Sequence, residues 1–298
     1  MTAFLRVDSV RRQVGETLIL DGIALDVARG EVVGIIGPSG SGKSSLLRCI
    51  AGLDTLTAGR VTVEGREPRP GDGTVGMVFQ QFNLWPHLTA RENVALALRL
   101  ARRMSKAEAA SRADAMLDRV GLRSLADRRP AQLSGGQQQR VAIARTLAVE
   151  PRIILFDEPT ASLDPELTTE VLEVIRALAE AGQTMLVVSH EMGFVANVAS
   201  RAIFLDHGKK LVDGPARAVF GKPEEPRLRR FLSTYLQRVT WAAEPEVAPP
   251  STTTMALLNL PTPEPANFAL LDAAAPSPAP SFPLLDGASR KPADPPNP

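Results

Sequence analysis

The chain has 298 residues, 44% of them hydrophobic, so it can form a core of ordinary size in one or two domains, and disorder throughout is excluded. With 34 Lys and Arg against 33 Asp and Glu, the formal net charge is +1, which predicts no nucleic-acid partner. Cys49, the single cysteine, cannot form an intrachain disulfide; the sequence shows neither a signal-peptide core nor a bilayer-spanning apolar run, which predicts a protein on the cytoplasmic side.

Residues 1–240 alternate short β-branched runs with longer helical patterns, which predicts an α/β domain with a mainly parallel sheet. The predicted strands are 31–36, 74–79, 153–156, 184–188 and 202–205. The interval 84–149 contains no convincing strand, and its predicted helices are 91–103, 106–120 and 137–149. Ser105 suits the N-cap of the second helix, and Gly121 suits its C-terminal end. We therefore expect a helical subdomain at about 84–149.

Residues 241–298 differ from the rest of the chain in composition. They hold 14 of the 25 prolines, and neither a helical nor a strand period is visible. This composition predicts a Pro/Ala-rich disordered tail with a boundary near residue 240.

Residues 37–44, here called the phosphate loop, read GPSGSGKS and fit the pattern GxxxxGK[ST] between a predicted strand and a helical run at 45–51. Glycines let several backbone N–H groups converge on one polyphosphate, and the helix start adds further donors. Lys43 is predicted to reach the β- and γ-phosphates and Ser44 to bind Mg²⁺, so the pattern predicts ATP or GTP binding. The predicted nucleotide-binding residues are Gly37, Pro38, Ser39, Gly40, Ser41, Gly42, Lys43, Ser44 and Ser45.

Two adjacent carboxylates, Asp157 and Glu158, follow the apolar run 153–156. Neighbouring side chains at a strand end point in different directions. Asp157 is therefore predicted to face the metal ion, and Glu158 to face the γ-phosphate, where a water molecule would attack.

Four further segments carry a resemblance to a known family. Residues 133–137, here called the signature segment, read LSGGQ, and Gln80, the segment 162–164 and His190 stand at the expected distances from it. In these positions the chain resembles the ATP-binding subunits of ABC transporters over residues 4–236. The resemblance implies an α/β P-loop NTPase fold with an antiparallel N-terminal β subdomain and an α-helical subdomain.

The resemblance also implies a mechanism. Two copies would face head to tail, each ATP lying between one copy's phosphate loop and the other's signature segment. The implied residues on the opposing side are Ser134, Gly135, Gly136, Gln137 and Asp164. Glu158 would polarise the water, His190 would hold Glu158 and the γ-phosphate in register, and Gln80 would contact both Mg²⁺ and the water. The position of His190 after a predicted strand favours such a role.

Finer stretches, 78–87 and 190–194, look like the branch that powers uptake of polar amino acids. The implied function is an ATPase subunit at the cytoplasmic face of the membrane, acting with membrane-spanning permease subunits and, indirectly, an extracytoplasmic solute-binding protein. The alternative is a soluble ATPase of the same superfamily that acts on a non-transport complex.

Val14 departs from the family pattern. It stands where the family usually places an aromatic residue that stacks on adenine. Because valine lacks an aromatic face, we expect weaker ATP affinity or looser base selectivity at this position.

Overall fold

A computed structural model describes residues 3–240, and the predicted tail at 241–298 lies outside the described residues. The main sheet has six strands in the order β5-β6-β7-β3-β8-β9. All neighbouring strands pair in parallel except β8 and β9, which pair antiparallel. Their bounds are β3 Val32–Ile36, β5 Val75–Val78, β6 Ile153–Asp157, β7 Met185–Val188, β8 Arg201–Asp206 and β9 Lys209–Pro215. The prediction of a mainly parallel core sheet is confirmed.

A second, antiparallel sheet lies near the N-terminus. It has the order β2-β1-β4, with β1 at Leu5–Val14, β2 at Thr17–Val27 and β4 at Ala58–Val63. Alternate residues at the start of β1 are buried and exposed, as expected for a strand with one face on the core. The antiparallel β subdomain that the resemblance implied is therefore present.

Three helices occupy the interval between β5 and β6: α2 at Ala90–Arg102, α3 at Lys106–Arg119 and α4 at Gly135–Ala148. Ser105 caps α3 in a capping box with Glu108. Gly121, at φ +70°, follows the C-cap of α3, and the amide of Leu122 reaches back to the carbonyl of Leu117 at 2.8 Å. Two short 3₁₀ turns, Arg123–Leu125 and Pro130–Gln132, connect α3 to α4.

The remaining helices cover or extend the main sheet. They are α1 Lys43–Ile50, α5 Pro165–Glu180, α6 Met192–Val198, α7 Ala216–Gly221 and α8 Pro226–Thr240. Helix α8 is fixed to the sheet by burial of Leu228 and Leu232 and by an ion pair between Arg227 and Asp206 at 2.7 Å. Among the described residues, none of the helices combines the length and hydrophobicity that crossing a bilayer requires.

The core consists of two apolar clusters that use opposite faces of the main sheet. Successive residues of one strand belong to different clusters. Ile36 lies in the cluster that includes α2, α3 and α4, whereas Ile35 lies in the cluster that includes the N-terminal sheet. The sheet is thus buried on both faces, and its strand ends become the place where loops from both layers meet.

Candidate functional site

The phosphate loop joins β3 to α1 and lies against backbone on its underside. Gly37 has φ +152°, and a Cβ there would lie 2.1 Å from the carbonyl oxygen of Leu205. Gly42 has φ +100°, and a Cβ there would lie 3.0 Å from the carbonyl oxygen of Ile19. The amide of Gly208 donates to the carbonyl of Ser41 at 3.1 Å. The loop therefore needs glycine both for its backbone conformation and for these close approaches.

Lys43 is buried at the start of α1. Its Nζ donates to the carbonyls of Gly37 at 2.9 Å and Pro38 at 3.0 Å, so the ammonium group closes over the phosphate loop. Burial lowers the pKa of Lys43, and the nearby charges of Glu158 and Asp157 oppose this shift. The side-chain oxygen of Ser41 is also buried and has no hydrogen-bond partner within residues 3–240. The phosphate loop thus holds one buried ammonium group and one buried hydroxyl without a partner among the described residues.

Ser44 and Asp157 meet across the site. The Ser44 hydroxyl donates to Oδ1 of Asp157 at 2.7 Å. Burial raises the pKa of Asp157, the adjacent Glu158 raises it further, and the hydrogen bond from Ser44 opposes both effects. Hydroxyl and carboxylate oxygens are ligands that Mg²⁺ prefers, and the described residues contain no cluster of three His, Cys, Asp or Glu that would hold a metal alone. Ser44 and Asp157 could therefore contribute oxygen ligands to such an ion.

Glu158 pairs with His190. Nε2 of His190 lies 2.9 Å from Oε1 of Glu158, and the hydrogen bond from His190 lowers the pKa of Glu158 against the effect of burial. Glu158 has φ +49°, a conformation that is uncommon for a residue with a side chain, and its amide donates to the carbonyl of Val188 at 2.9 Å. The backbone therefore leaves the extended conformation at Glu158, directly after β6 ends at Asp157.

Parallel pairing explains why these residues meet. Strands β6, β7 and β3 are neighbours, so their carboxyl ends lie at one edge of the sheet. The phosphate loop follows β3, the two carboxylates end β6, and His190 follows β7. The carboxyl edge of a parallel sheet is the usual ligand site of such folds.

Three other predicted residues are exposed. Gln80 is exposed after β5, and no side-chain hydrogen bond joins it to Ser44 or Asp157 in the described part of the chain. Val14 is 52% exposed at the end of β1. Asp164 is exposed at the N-cap of α5, where its side chain makes no capping hydrogen bond.

The signature segment forms the start of α4. Ser134 is the N-cap, its hydroxyl accepts from the amide of Gln137 at 3.2 Å, and its own amide donates to Oε1 of Gln137 at 3.0 Å. The prediction that this helix begins near Gln137 is wrong by two residues, because the capping box lets Gly135 and Gly136 enter the first turn. A Cβ at Gly135 would lie 2.9 Å from Cδ2 of Leu163. The signature segment is therefore packed against the residues that precede α5.

Sequence patterns did not identify the supports beneath the phosphate loop. Leu205 and Gly208 contribute only backbone atoms, so their side chains give no motif. The one local signal is the Asp206-His207-Gly208 turn, in which His207 and Gly208 have φ +46° and +74°. The turn is recognisable in the sequence, whereas its contact with residues 37–42 is not.

The chain is similar in sequence to known ATP-binding proteins of transporters. The family model described as ABC transporter matches residues 20–161. The chain is 51% identical over 231 residues to the glutamine transport ATP-binding protein GlnQ of Escherichia coli, a match that covers 75% of this chain and 96% of that protein. It is 47% identical to the glutamate transport ATP-binding protein GluA of Corynebacterium glutamicum, covering 78% of this chain and 99% of that one.

Solved structures of ABC proteins also match the fold of this chain. A dimeric post-hydrolysis state of an ATP-binding cassette bound to ADP and Pi matches with a TM-score of 0.64 at 38% identity, covering 72% of this chain and 99% of that chain. The cbiO1 protein of Clostridium perfringens, part of an ABC transporter complex, matches with a TM-score of 0.66 at 27% identity, covering 80% of this chain and 97% of that chain.

Proposed function

This chain belongs to the ABC transporter family of ATP-binding subunits, and from that premise we propose that it hydrolyses ATP to drive an importer of polar amino acids. The observation that supports this most directly is the convergence of Lys43, Ser44, Asp157, Glu158 and His190 at one edge of the sheet. Together these residues supply an anion cradle, oxygen ligands for a cation and a base for water, which are the parts that ATP hydrolysis requires.

ATP binds with its phosphates in the phosphate loop. The free N–H groups at the start of α1 and the ammonium of Lys43 face this position, and Lys43 exchanges its two loop carbonyls for phosphate oxygens. The buried hydroxyl of Ser41 gains a partner at the same time. Ser44 and Asp157 would hold Mg²⁺, and Gln80, from the segment after β5, would be a further ligand. When bound there, Mg²⁺ supplies charge neutralisation for the phosphate oxygens.

Glu158 acts as the general base. Its lowered pKa keeps the carboxylate ionised near neutral pH, so it accepts a proton from water as the water oxygen attacks the terminal phosphorus and the bond to ADP breaks. His190 holds the carboxylate at 2.9 Å and so fixes its direction. Gln80 positions the attacking water. Most of the acceleration comes from this positioning and from charge neutralisation.

Cassettes of this family form dimers and act with membrane permease components, and the similar ADP-bound cassette is dimeric. In the dimer that we propose, the signature segment of one copy faces the nucleotide of the other. Ser134, Gly135 and Gly136 begin α4, whose unpaired N–H groups offer a second anion site. Asp164, exposed at the start of α5, lies on the same interface. Hydrolysis removes the shared γ-phosphate and opens the dimer.

The substrate class rests on relatives whose names specify glutamine and glutamate transport. We therefore place the chain at the cytoplasmic face of the membrane, bound to permease subunits that receive a polar amino acid from an extracytoplasmic solute-binding protein.

A pair of variants tests the ATPase site. Glu158→Gln removes the base but keeps the phosphate loop, so we expect ATP binding with turnover reduced at least about 100-fold and accumulation of an ATP-bound dimer. Lys43→Ala removes a phosphate contact, so it loses binding or turnover without trapping a dimer. Glu166→Gln, a charge removal at an exposed position of α5, is the matched control and keeps normal turnover. Normal turnover of Glu158→Gln would remove Glu158 from the role of base.

Purification of the native complex from membranes tests the transport assignment. We expect a partner with several membrane-spanning helices and ATPase activity that rises when a polar amino acid and its binding protein are added to the reconstituted complex. Recovery of the chain only in a water-soluble assembly would instead support the alternative, an ATPase of the same family acting on a non-transport complex.

A further inference from the structure

Gln139 is a buried polar residue to which the mechanism above assigns no role. It lies on α4, its side chain is fully buried, and its Nε2 donates to the carbonyl oxygen of Phe79 at 3.2 Å. The amide oxygen Oε1 of Gln139 has no hydrogen-bond partner in the described part of the chain. If packing were the purpose of this side chain, an apolar residue of the same size would serve without an unsatisfied group. The hydrogen bond to Phe79 is therefore the feature to explain.

Phe79 immediately precedes Gln80, the residue proposed to contact Mg²⁺ and water. One other side chain of α4 also contacts backbone of this segment. Arg145 donates to the carbonyls of Phe82 at 3.1 Å and Asn83 at 2.6 Å. Helix α4 thus holds the segment on the carboxyl side of Gln80 through Arg145 and on the amino side through Gln139.

Behind this segment, α4 and β5 are closely packed. Gly76 of β5 approaches α4 so closely that a Cβ there would lie 2.6 Å from Cγ2 of Thr146. The Thr146 hydroxyl lies 3.4 Å from the carbonyl of Met77. A displacement of α4 is therefore transmitted to the residues on either side of Gln80 rather than absorbed by a gap.

We propose that Gln139 is a positioning residue that couples the signature segment to Gln80 during the ATPase cycle. This inference rests on the proposed function, in which Ser134 binds the nucleotide of the partner copy and Gln80 contacts Mg²⁺ and water in its own copy. Ser134 is the N-cap of α4, and Gln139 lies in the same helix. When Ser134 engages the opposing nucleotide, α4 shifts, and the hydrogen bond from Gln139 carries the backbone at Phe79 and Gln80 with it. Closure of the dimer is thereby linked to assembly of the hydrolytic site.

The test is a double-mutant cycle in the full-length chain. Gln139→Met preserves size and burial but removes the hydrogen bond to Phe79, and Gln80→Ala removes the group through which Gln139 acts. We expect Gln139→Met to lower kcat about ten-fold while the KM for ATP stays within about two-fold, because the phosphate loop is untouched. In the Gln80→Ala background, Gln139→Met should lower kcat no further.

Gln183→Met is the matched control. Its amide also contacts backbone carbonyls, those of Pro151 and Arg152, but at the opposite end of the sheet from the phosphate loop. We expect it to keep the kcat of the unmodified chain. Gln139→Leu, which also lacks a donor to the Phe79 carbonyl, enters the same cycle if Gln139→Met does not fold, as judged by circular dichroism.

The outcomes separate the inference from the proposed function. A normal kcat for Gln139→Met, or an equal fall in kcat with and without Gln80, overturns the inference while leaving the ATPase assignment in place. A normal kcat for Gln80→Ala overturns the proposed role of Gln80 and the inference together. A loss of kcat in Gln139→Met that disappears in the Gln80→Ala background supports the coupling.

Discussion

Gly37 and Gly40 lie in the same loop and both have positive φ angles, yet their surroundings differ. A Cβ at Gly37 would lie 2.1 Å from the carbonyl oxygen of Leu205 and 3.0 Å from the hydroxyl of Ser41. A Cβ at Gly40, where φ is +78°, meets no atom within 4 Å. The two positions therefore separate the energetic effect of backbone conformation from that of steric contact.

Gly40→Ala should destabilise the fold by about 1 kcal/mol, the energy of placing a side chain on a left-handed backbone. Gly37→Ala incurs a similar strain and must also move the loop and the end of β8 apart by roughly 1 Å, an overpacking that costs about 1–3 kcal/mol. We expect Gly37→Ala to lose about 3 kcal/mol in total. Because the obstruction is a backbone carbonyl, rotation of a side chain cannot relieve it.

Guanidinium unfolding of both full-length variants without nucleotide, followed by circular dichroism, measures the difference as a shift in midpoint at similar slope. Gly37→Ala should unfold at clearly lower denaturant than Gly40→Ala. Equal midpoints would show that the contact between Gly37 and Leu205 does not constrain the loop, and the steric reasoning would be refuted.

Three further substitutions have expected outcomes. His190→Ala should lower kcat about 100-fold or more while fluorescent ATP-analogue binding persists, since it leaves Glu158 in place but unoriented; unchanged kcat contradicts the pairing. Val14→Tyr should tighten ATP binding by about 1 kcal/mol and sharpen the preference for adenine over guanine, which competition titrations measure. Asp213→Asn should cost about 2 kcal/mol of folding stability near pH 7. Burial acts to raise the pKa of Asp213, but the hydrogen bonds that Arg201 and Lys210 donate lower it below its usual value. The difference in stability between Asp213→Asn and the unmodified chain should therefore disappear as the pH falls through this lowered pKa, which urea unfolding at a series of pH values measures.

The central strands were predictable because burial on both faces leaves a simple signal. Every residue of β3, β6 and β7 is buried, and each strand is an apolar run that only Asp157, at the end of β6, interrupts; each predicted start or end lies within one residue of the observed one. The strands of the N-terminal sheet lacked this signal. Strand β1 contains several arginines, its pairing with β2 shifts register after Val7, and Ser9 has φ +47°, so the period of two is broken. The resemblance, rather than the pattern, supplied that sheet.

The site was predictable where its chemistry is local. The phosphate loop and the adjacent carboxylates are short motifs, and parallel strands bring such motifs to one edge. The packing of Gly37 on Leu205 depends on backbone that is distant in the sequence and that has no residue-type signature. The start of α4 was displaced in the prediction because glycine is a poor helix former, and only the capping by Ser134 reveals why the helix begins at Gly135.

The adjacent carboxylates show how one strand end provides two chemistries. Burial, together with the neighbouring charge of Glu158, raises the pKa of Asp157, whereas the hydrogen bond from His190 lowers the pKa of Glu158. Opposite shifts at neighbouring groups indicate different roles. A buried carboxylate that holds its charge with difficulty is stabilised by a cation, which fits Asp157 beside the Ser44 hydroxyl. The hydrogen bond from His190 keeps Glu158 ionised and fixes its direction, and because the lowered pKa makes it a weaker base than a free glutamate, positioning of the attacking water is what fits Glu158. Neighbouring side chains at a strand end point in different directions, so Asp157, the last residue of β6, and Glu158, the next residue, can take these separate roles.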